Sequence, residues 1–342
     1  MKKIIIIGAG AMGSAFSFPC VENKNHVTLV GTFLENELID KIKSNNNIHP
    51  TLKKNFPKEL KIEKFEKLQS ILSTKIDIIV SGVSSVGIDW FVEQISKNYI
   101  KNLPIVLLTK GLSIQNKKLI TLSKKIKNLL KERKHTDINI SAIKGPCLAI
   151  ELANKMRTGT VIANPQIKEA ESLKKIISTQ YYSTEISNDL DGVELSGAIK
   201  NIYSMLIGAS EGLSNYSSPT EINPKYYLNT AASLIHRSIS EMVQFVSYYG
   251  GKSETVYGLA GLGDLYVSAI GGRNSLMGKY LGQGYVYKDA KEKFMKKTTV
   301  EGAQLALEIG PIIKKDLNPK KFPLMFSILN TICADKKLKI NW

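Results

Sequence analysis

The start of the chain constrains its fold most, because Ile4 to Ile7 run straight into Gly8-Ala9-Gly10-Ala11-Met12-Gly13. Four consecutive β-branched residues read as a short buried strand, and the residues after Gly10 read as the opening of a helix. A G-x-G-x-x-G run between a strand and a helix has few physical uses. Gly8 makes the tight turn, Gly10 lets a phosphate approach the bare backbone, and Gly13 lets the helix pack closely on the strand. The helix entrance around Ala11 and Met12 offers free amides and the positive end of the helix dipole. The turn therefore predicts a bound dinucleotide whose pyrophosphate sits on it.

Further apolar runs continue the pattern. Val27–Val30, Asp77–Val80, Ile105–Thr109, Ile138–Ile143 and Gly159–Ala163 read as strands separated by helical or mixed segments. Strand alternating with helix predicts a parallel sheet covered on both faces. Beyond residue 188 the strand signals fade. Long helical patterns over Gly192–Gly212, Tyr226–Gly250 and Phe322–Lys336 take over. The expected fold is α/β: an N-terminal Rossmann-like parallel-sheet domain over 1–188, binding dinucleotide, then a mostly α-helical substrate-binding domain over 189–342. A length of 342 residues suits two cores.

The net charge of +17 comes almost wholly from lysine; arginine occurs only at Arg133, Arg157, Arg237 and Arg273. Nucleic-acid sites favour the planar fork of arginine, so the charge points to an anionic small molecule rather than nucleic acid. The apolar run after Met1-Lys2-Lys3 is too short for a signal peptide or a span and leads into a glycine turn. Cys20, Cys147 and Cys333 are far apart and odd in number, which predicts reduced thiols in a cytoplasmic protein. The four histidines show no metal-ligand spacing, and no metal is expected.

Cofactor identity stays open at this stage. Sites for NAD often place an acid at the end of the second strand, on the ribose 2′-hydroxyl. Here that strand runs out as Leu29-Val30-Gly31-Thr32-Phe33, the first acid is Glu35, and no arginine stands nearby. NAD and NADP are equally compatible with this stretch.

Four more segments carry candidate chemistry. Lys110 follows a strand in Leu108-Thr109-Lys110-Gly111, where ligands of open sheets bind. Gly145-Pro146-Cys147-Leu148-Ala149 follows another strand. Lys200 and Asn201 end the helical stretch Gly192–Asn201, among small and apolar residues whose desolvation would ease loss of the lysine's proton. Asp264 closes the glycine-rich run Gly258–Leu265, and Arg273 and Asn274 follow Gly271-Gly272; these groups suit binding of an anion and orientation of a lysine.

Taken in order, these motifs resemble the NAD(P)-dependent glycerol-3-phosphate dehydrogenase family over nearly the whole chain. The resemblance is carried by GAGAMGSA (Gly8–Ala15), TKG (Thr109–Gly111), GPCLAIELA (Gly145–Ala153) and GVELSGAIKN (Gly192–Asn201), and continues through NTAASLIHRSISEM (Asn229–Met242), GLAGLGDL (Gly258–Leu265), GGRN (Gly271–Asn274) and VEGA (Val300–Ala303). It implies reversible reduction of dihydroxyacetone phosphate to sn-glycerol 3-phosphate, the glycerophospholipid backbone. It implies Lys200 as the catalytic acid and base at the C2 oxygen, with Lys110 lining the same site and Asp264 near the lysine. Arg273 and Asn274 would hold the substrate phosphate, with Arg273 also reaching the cofactor. Gly145, Cys147 and Asn201 would line the substrate. Lys110, Ala149 and Glu301 would join Gly8, Gly10, Ala11, Met12 and Gly13 at the dinucleotide.

Departures from the family pattern are Cys147 at a position where a hydroxyl is common, Arg157-Thr158-Gly159-Thr160 in place of a Pro-Thr run, and a slightly short stretch between Asp264 and Arg273. The expected partner is a small phosphorylated substrate, with neither nucleic acid nor a membrane, and a homodimer is left open. Rival readings are a ketopantoate-reductase or β-hydroxyacid type of dehydrogenase and a silent dinucleotide-binding regulator.

Overall fold

The computed structural model describes residues 1–217 and 227–341. They form two compact units: 1–110 with 122–190, and 111–121 with 191–342. Among the described residues no helix is long and apolar enough to cross a membrane.

The first unit is built on an eight-stranded sheet. Its strands are β1 (Lys3–Ile7), β2 (His26–Val30), β3 (Lys61–Glu63), β4 (Ile78–Ser81), β5 (Ile105–Leu107), β6 (Ile140–Lys144), β7 (Thr158–Ala163) and β8 (Tyr182–Ser187). The order across the sheet is β8-β7-β6-β5-β4-β1-β2-β3. Strand β1 lies between β2 and β4, parallel to both, with Ile6 level with Leu29 and Val80. Its four isoleucines are all buried, as a strand covered on both faces requires.

The expected all-parallel sheet needs one correction. Strand β7 runs antiparallel to β6, with Ala142 opposite Ala163, and β8 follows β7 in parallel. The reversal begins at Gly145, whose φ of +138° places it where a side chain is strained. A Cβ there would also lie 3.0 Å from the Thr160 Cα. Strands β3 and β8 escape the sequence pattern for clear reasons. β3 is three residues long with a charge at each end, and β8 reads Tyr-Ser-Thr-Glu-Ile-Ser, too polar to announce a strand.

The second unit is helical, apart from a hairpin of Leu112–Gln115 and Lys118–Thr121 that turns on Asn116 and Lys117, both at positive φ. Leu112 and Leu119 join the core of this unit, which explains why 111–121 leave the first unit even though the sequence places them before residue 188. Helix α1 (Ala11–Glu22) belongs to the first unit, and α2 (Leu190–Ser217), α3 (Leu228–Tyr248), α4 (Asp264–Gly271), α5 (Arg273–Gly282), α6 (Glu301–Asp316) and α7 (Pro323–Cys333) belong to the second. Helix α3 falls within the predicted 226–250 segment; Tyr226 itself lies outside the described residues.

Helices α2 and α5 meet backbone to backbone. A Cβ on Gly208 would lie 2.2 Å from the Ser275 carbonyl oxygen, and one on Gly278 would lie 1.9 Å from that of Met205. Gly212 and Gly282 repeat the arrangement one turn further along. Four glycines thus let the two backbones meet at the crossing, and this tight seam fixes Lys200 and Asn201 on α2 relative to Arg273 and Asn274 on α5.

Candidate active site

In the first unit the glycine turn has the geometry its sequence predicts. Gly8 has φ +111°, and a Cβ on it would lie 2.7 Å from the Gly82 carbonyl carbon. A Cβ on Gly13 would lie 2.2 Å from the Gly8 carbonyl oxygen, so only glycine lets α1 sit this close to β1. Gly10 differs: the nearest atom a Cβ would meet is Glu35 Oε1, at 3.7 Å. The space above it is open. Ala11 and Met12 begin α1, whose first turn carries no acid and no side-chain cap. An open cradle over uncapped amides fits a pyrophosphate.

Glu35 and His49, neither of them a predicted site residue, hold the Ala9 peptide in place. Glu35 Oε2 accepts the Ala9 N–H at 2.9 Å and the Thr32 N–H at 2.7 Å. Buried His49 accepts the Thr51 and Leu52 amides on Nδ1, at 3.1 and 3.2 Å. That leaves its proton on Nε2, which donates to the Ala9 carbonyl at 3.2 Å. Burial, the largest influence, holds the imidazole below its usual range. Beside Glu35, exposed Phe33 packs against Phe65 and Trp90, with ring centroids 6.3 and 5.7 Å away.

The carboxyl ends of the neighbouring strands are laced together below Lys110. Thr109 Oγ1 donates to the Val83 carbonyl at 2.7 Å and lies 3.3 Å from Ser81 Oγ. Lys144, at the end of β6, is buried and donates from Nζ to the Leu107 and Thr109 carbonyls at 3.0 and 2.8 Å. A lysine inside a strand end is not readable from sequence, because long cationic side chains normally reach water. Lys110 is half-buried at the end of this lacing. Cys147 and Ala149 are half-buried and pack on the same core.

In the second unit, Lys200 and Asp264 come together from residues 64 apart. Lys200 Nζ donates to Asp264 Oδ1 at 2.7 Å and to the Asp264 carbonyl at 3.4 Å, and it also bonds Ser268 Oγ. The lysine is buried, but its surroundings are not the bare apolar helix the sequence predicts. A carboxylate and a hydroxyl face the amine. Asp264 reaches this position because a π-helical turn over Leu259–Gly263 precedes α4. That turn packs tightly, since a Cβ on Gly261 would lie 2.1 Å from the Val256 carbonyl oxygen.

The remaining predicted residues of this unit form one linked group. Arg273 donates to Glu301 Oε1 at 2.8 Å, and Glu301 Oε2 accepts from Asn201 Nδ2 at 3.4 Å. Asn201 Oδ1 accepts from Asn274 Nδ2 at 3.0 Å, and Asn274 Oδ1 accepts the Gly302 N–H at 2.8 Å. Arg273 is 55% exposed at the rim of this chain, while Asn274 is buried with both ends of its amide engaged. Arginine and asparagine, paired in sequence, therefore differ in position: one is open to an anion and the other locks α2, α5 and α6 together. Ser268 is the neighbour of Lys200 that sequence reasoning missed, because a lone serine on a helix carries no signal.

Two family models cover most of the chain: the N-terminal part of NAD-dependent glycerol-3-phosphate dehydrogenase matches residues 3–170, and its C-terminal part matches residues 189–340. The chain belongs to the NAD-dependent glycerol-3-phosphate dehydrogenase family. It is an NAD(P)-dependent oxidoreductase. It is 33% identical to the NADP(+)-dependent glycerol-3-phosphate dehydrogenase of Archaeoglobus fulgidus, over 89% of this chain and 87% of that one. It is 31% identical to the glycerol-3-phosphate dehydrogenase [NAD(P)+] of Mesoplasma florum, over 96% and 93%. The crystal structure of glycerol-3-phosphate dehydrogenase from Coxiella burnetii superposes with a TM-score of 0.81 and 26% identity, covering 98% of this chain and 96% of that one. Within the motifs quoted above, Lys200 is linked directly to Asp264, Arg273 and Asn201 to Glu301, and Asn274 to Asn201 and Gly302.

Proposed function

We propose that the dehydrogenase reversibly reduces dihydroxyacetone phosphate to sn-glycerol 3-phosphate, with Lys200 as the acid and base at the C2 oxygen. The observation that carries this reading is the buried Lys200–Asp264 ion pair. A positioned ammonium meets the negative charge that develops on a ketone oxygen during reduction, and it can give that oxygen a proton. Asp264 and Ser268 orient the amine.

The first unit is the dinucleotide-binding domain in this reading. Gly8, Gly10, Ala11, Met12 and Gly13 hold the pyrophosphate, with Lys110, Ala149, Arg273 and Glu301 as further cofactor-side groups. The bound dinucleotide supplies and recovers the hydride. The helical unit is the substrate domain. Arg273 takes the substrate phosphate, a group remote from the reacting bond whose binding orients the ketone. Asn274 acts through Asn201 rather than on the phosphate itself. Lys110, Gly145 and Cys147 line the substrate, the thiol of Cys147 being a weaker hydrogen-bonding group than the usual hydroxyl.

The reading includes a cytoplasmic location, resting on three separate thiols, and a role in supplying the glycerophospholipid backbone. It takes a small phosphorylated substrate rather than nucleic acid, on the scarcity of arginine, and a homodimer as the assembly to test by mass measurement in solution. The deciding experiment follows NADH and NADPH oxidation with dihydroxyacetone phosphate and with unphosphorylated dihydroxyacetone. Turnover of the phosphate ester alone supports the assignment. Equal turnover of both ketones overturns it in favour of a dehydrogenase for phosphate-free substrates.

A further inference from the structure

The choice between the two nicotinamide dinucleotides rests on a single added phosphate, at the 2′-oxygen of the adenosine ribose. The place where that oxygen is read lies at the end of β2, beside the glycine turn. In this chain Glu35 occupies it. Its Oε2 is fixed by the Ala9 and Thr32 amides. Its Oε1 lies over Gly10 and accepts no hydrogen bond among the described residues. The carboxylate thus comes from the loop, five residues past the end of the strand, and swings back to where strand-end acids stand.

The surroundings reinforce its sign. The segment Gly31–Asp40 carries Glu35, Glu37 and Asp40 and no cation. Lys64, just past the adjoining edge strand, is paired with Asp40 at 2.7 Å. Asn36 donates its amide to Glu66 at 2.6 Å. A ribose diol finds an acceptor in the free Oε1. A 2′-phosphate meets a carboxylate of its own charge, held rigidly by two backbone amides and unable to swing away without leaving both unpaired.

We infer that Glu35 is the specificity-determining residue of the dinucleotide site and that it selects NAD over NADP. The inference rests on the proposed dinucleotide reading of the glycine turn. Selectivity here is built by repulsion of the wrong ligand as much as by attraction of the right one.

The test is direct binding, read from quenching of tryptophan fluorescence or from calorimetry, with NADH and NADPH titrated separately into the parent protein and the Glu35→Gln variant. Gln keeps an acceptor for the Ala9 and Thr32 amides and removes the charge. The parent should bind NADH at least about tenfold more tightly than NADPH. In Glu35→Gln the gap should shrink to within about threefold, mainly through tighter NADPH binding, and that gain should fall as salt screens the charges. Equal affinities in the parent, or tighter NADPH binding, overturn the inference and leave the dinucleotide site intact. A parent preference for NADH that survives unchanged in a folded Glu35→Gln protein also overturns it, since the discrimination then lies elsewhere. Binding of neither nucleotide overturns the dinucleotide reading and the inference with it.

Discussion

Lys200 and Asp264 form an ion pair at 2.7 Å with each side chain only 4% exposed. Isolated charges are not stable at that depth, and breaking a buried pair from one side costs about 3–5 kcal/mol because the survivor is left bare. In the proposed mechanism catalysis and stability are therefore coupled at this pair, and a loss of activity in either single variant has two explanations. Removing both charges separates them. Lys200→Met and Asp264→Asn should each lower the melting temperature, and the Lys200→Met/Asp264→Asn double variant should recover much of the loss. Activity should not recover: kcat is expected to remain down by about 10²–10⁴ in every variant lacking Lys200. Single-turnover reduction by the double variant, with cofactor saturating, checks this. A rate within about threefold of the parent, well short of a tenfold loss, would move the acid to another residue, with Lys110 the next candidate.

The glycine turn offers a contrast between two substitutions three residues apart. Gly10→Val adds a side chain where the nearest protein atom is 3.7 Å from the new Cβ, so the protein should fold. The branches of valine then fill the space reserved for phosphate, and dinucleotide affinity should fall at least about tenfold. Gly13→Val places its Cβ 2.2 Å from the Gly8 carbonyl oxygen and should fail at folding instead. Circular dichroism with nucleotide titration separates the two. A Gly10→Val protein that is folded and binds normally would show the phosphate lies elsewhere.

Arg273 sits at the exposed end of its hydrogen-bonded chain, so its loss should cost little stability. Arg273→Ala should raise KM for dihydroxyacetone phosphate at least about tenfold and lower kcat as well, because the remote phosphate orients the ketone. Turnover of unphosphorylated dihydroxyacetone, poor in the parent, should barely change. If both ketones lose activity in equal proportion, Arg273 is not the phosphate ligand.

His49 makes the turn sensitive to acid. Its folded value lies below the ordinary 6.5, with burial as the first cause. Between the two values the unfolded chain binds more protons than the folded one, so the stability His49 contributes is complete above about pH 6.5. It is lost as pH falls through the lower folded value, when protonated Nδ1 can no longer accept the Thr51 and Leu52 amides. The difference in melting temperature between the parent and His49→Gln should therefore be largest near neutrality and shrink below about pH 6. A difference that stays constant from pH 5 to pH 8 (roughly the range over which histidine changes charge) would show that His49 does not titrate in this way.

The seam between α2 and α5 predicts opposite fates for two glycines in nearby chain. Gly278→Val drives a Cβ to 1.9 Å from the Met205 carbonyl oxygen, backbone that cannot move aside cheaply, and should cost at least about 3 kcal/mol. At Gly271 a Cβ meets nothing within 4 Å, so Gly271→Ala should stay within about 1 kcal/mol of the parent. Urea denaturation measures both. Comparable stability of the two variants would mean that the helices are not packed backbone to backbone.

Much of this protein is legible in its sequence because the relevant physics is local. The run Ile4–Ile7 followed by three spaced glycines specifies a strand, a turn and a helix with no help from distant residues. Glycine is demanded there by a positive φ at Gly8 and by contact with the backbone at Gly13. The break near residue 188 is equally local, since the hydrophobic period changes from that of strands to that of helices. The motifs holding Lys200, Asp264 and Arg273 also stand out in order, and the pairing of a lysine with that aspartate is an expectation the structure meets.

What the tertiary structure alone decides concerns groups far apart in the chain or hidden by their type. The carboxylate of Glu35 lands on Ala9, 26 residues earlier, and the imidazole of His49 on the same peptide from 40 residues away. No periodicity reports either contact. Lys144 is drawn inside to satisfy two strand-end carbonyls, against the ordinary preference of lysine for water. The hairpin at 112–121 joins the second unit because Leu112 and Leu119 find their apolar partners there rather than beside their sequence neighbours. Local propensity and turn geometry act within a few residues and can be read directly. Hydrogen bonds and apolar contacts between distant residues form only where the completed fold brings them within reach, and so the details that tune the site depend on the fold as a whole.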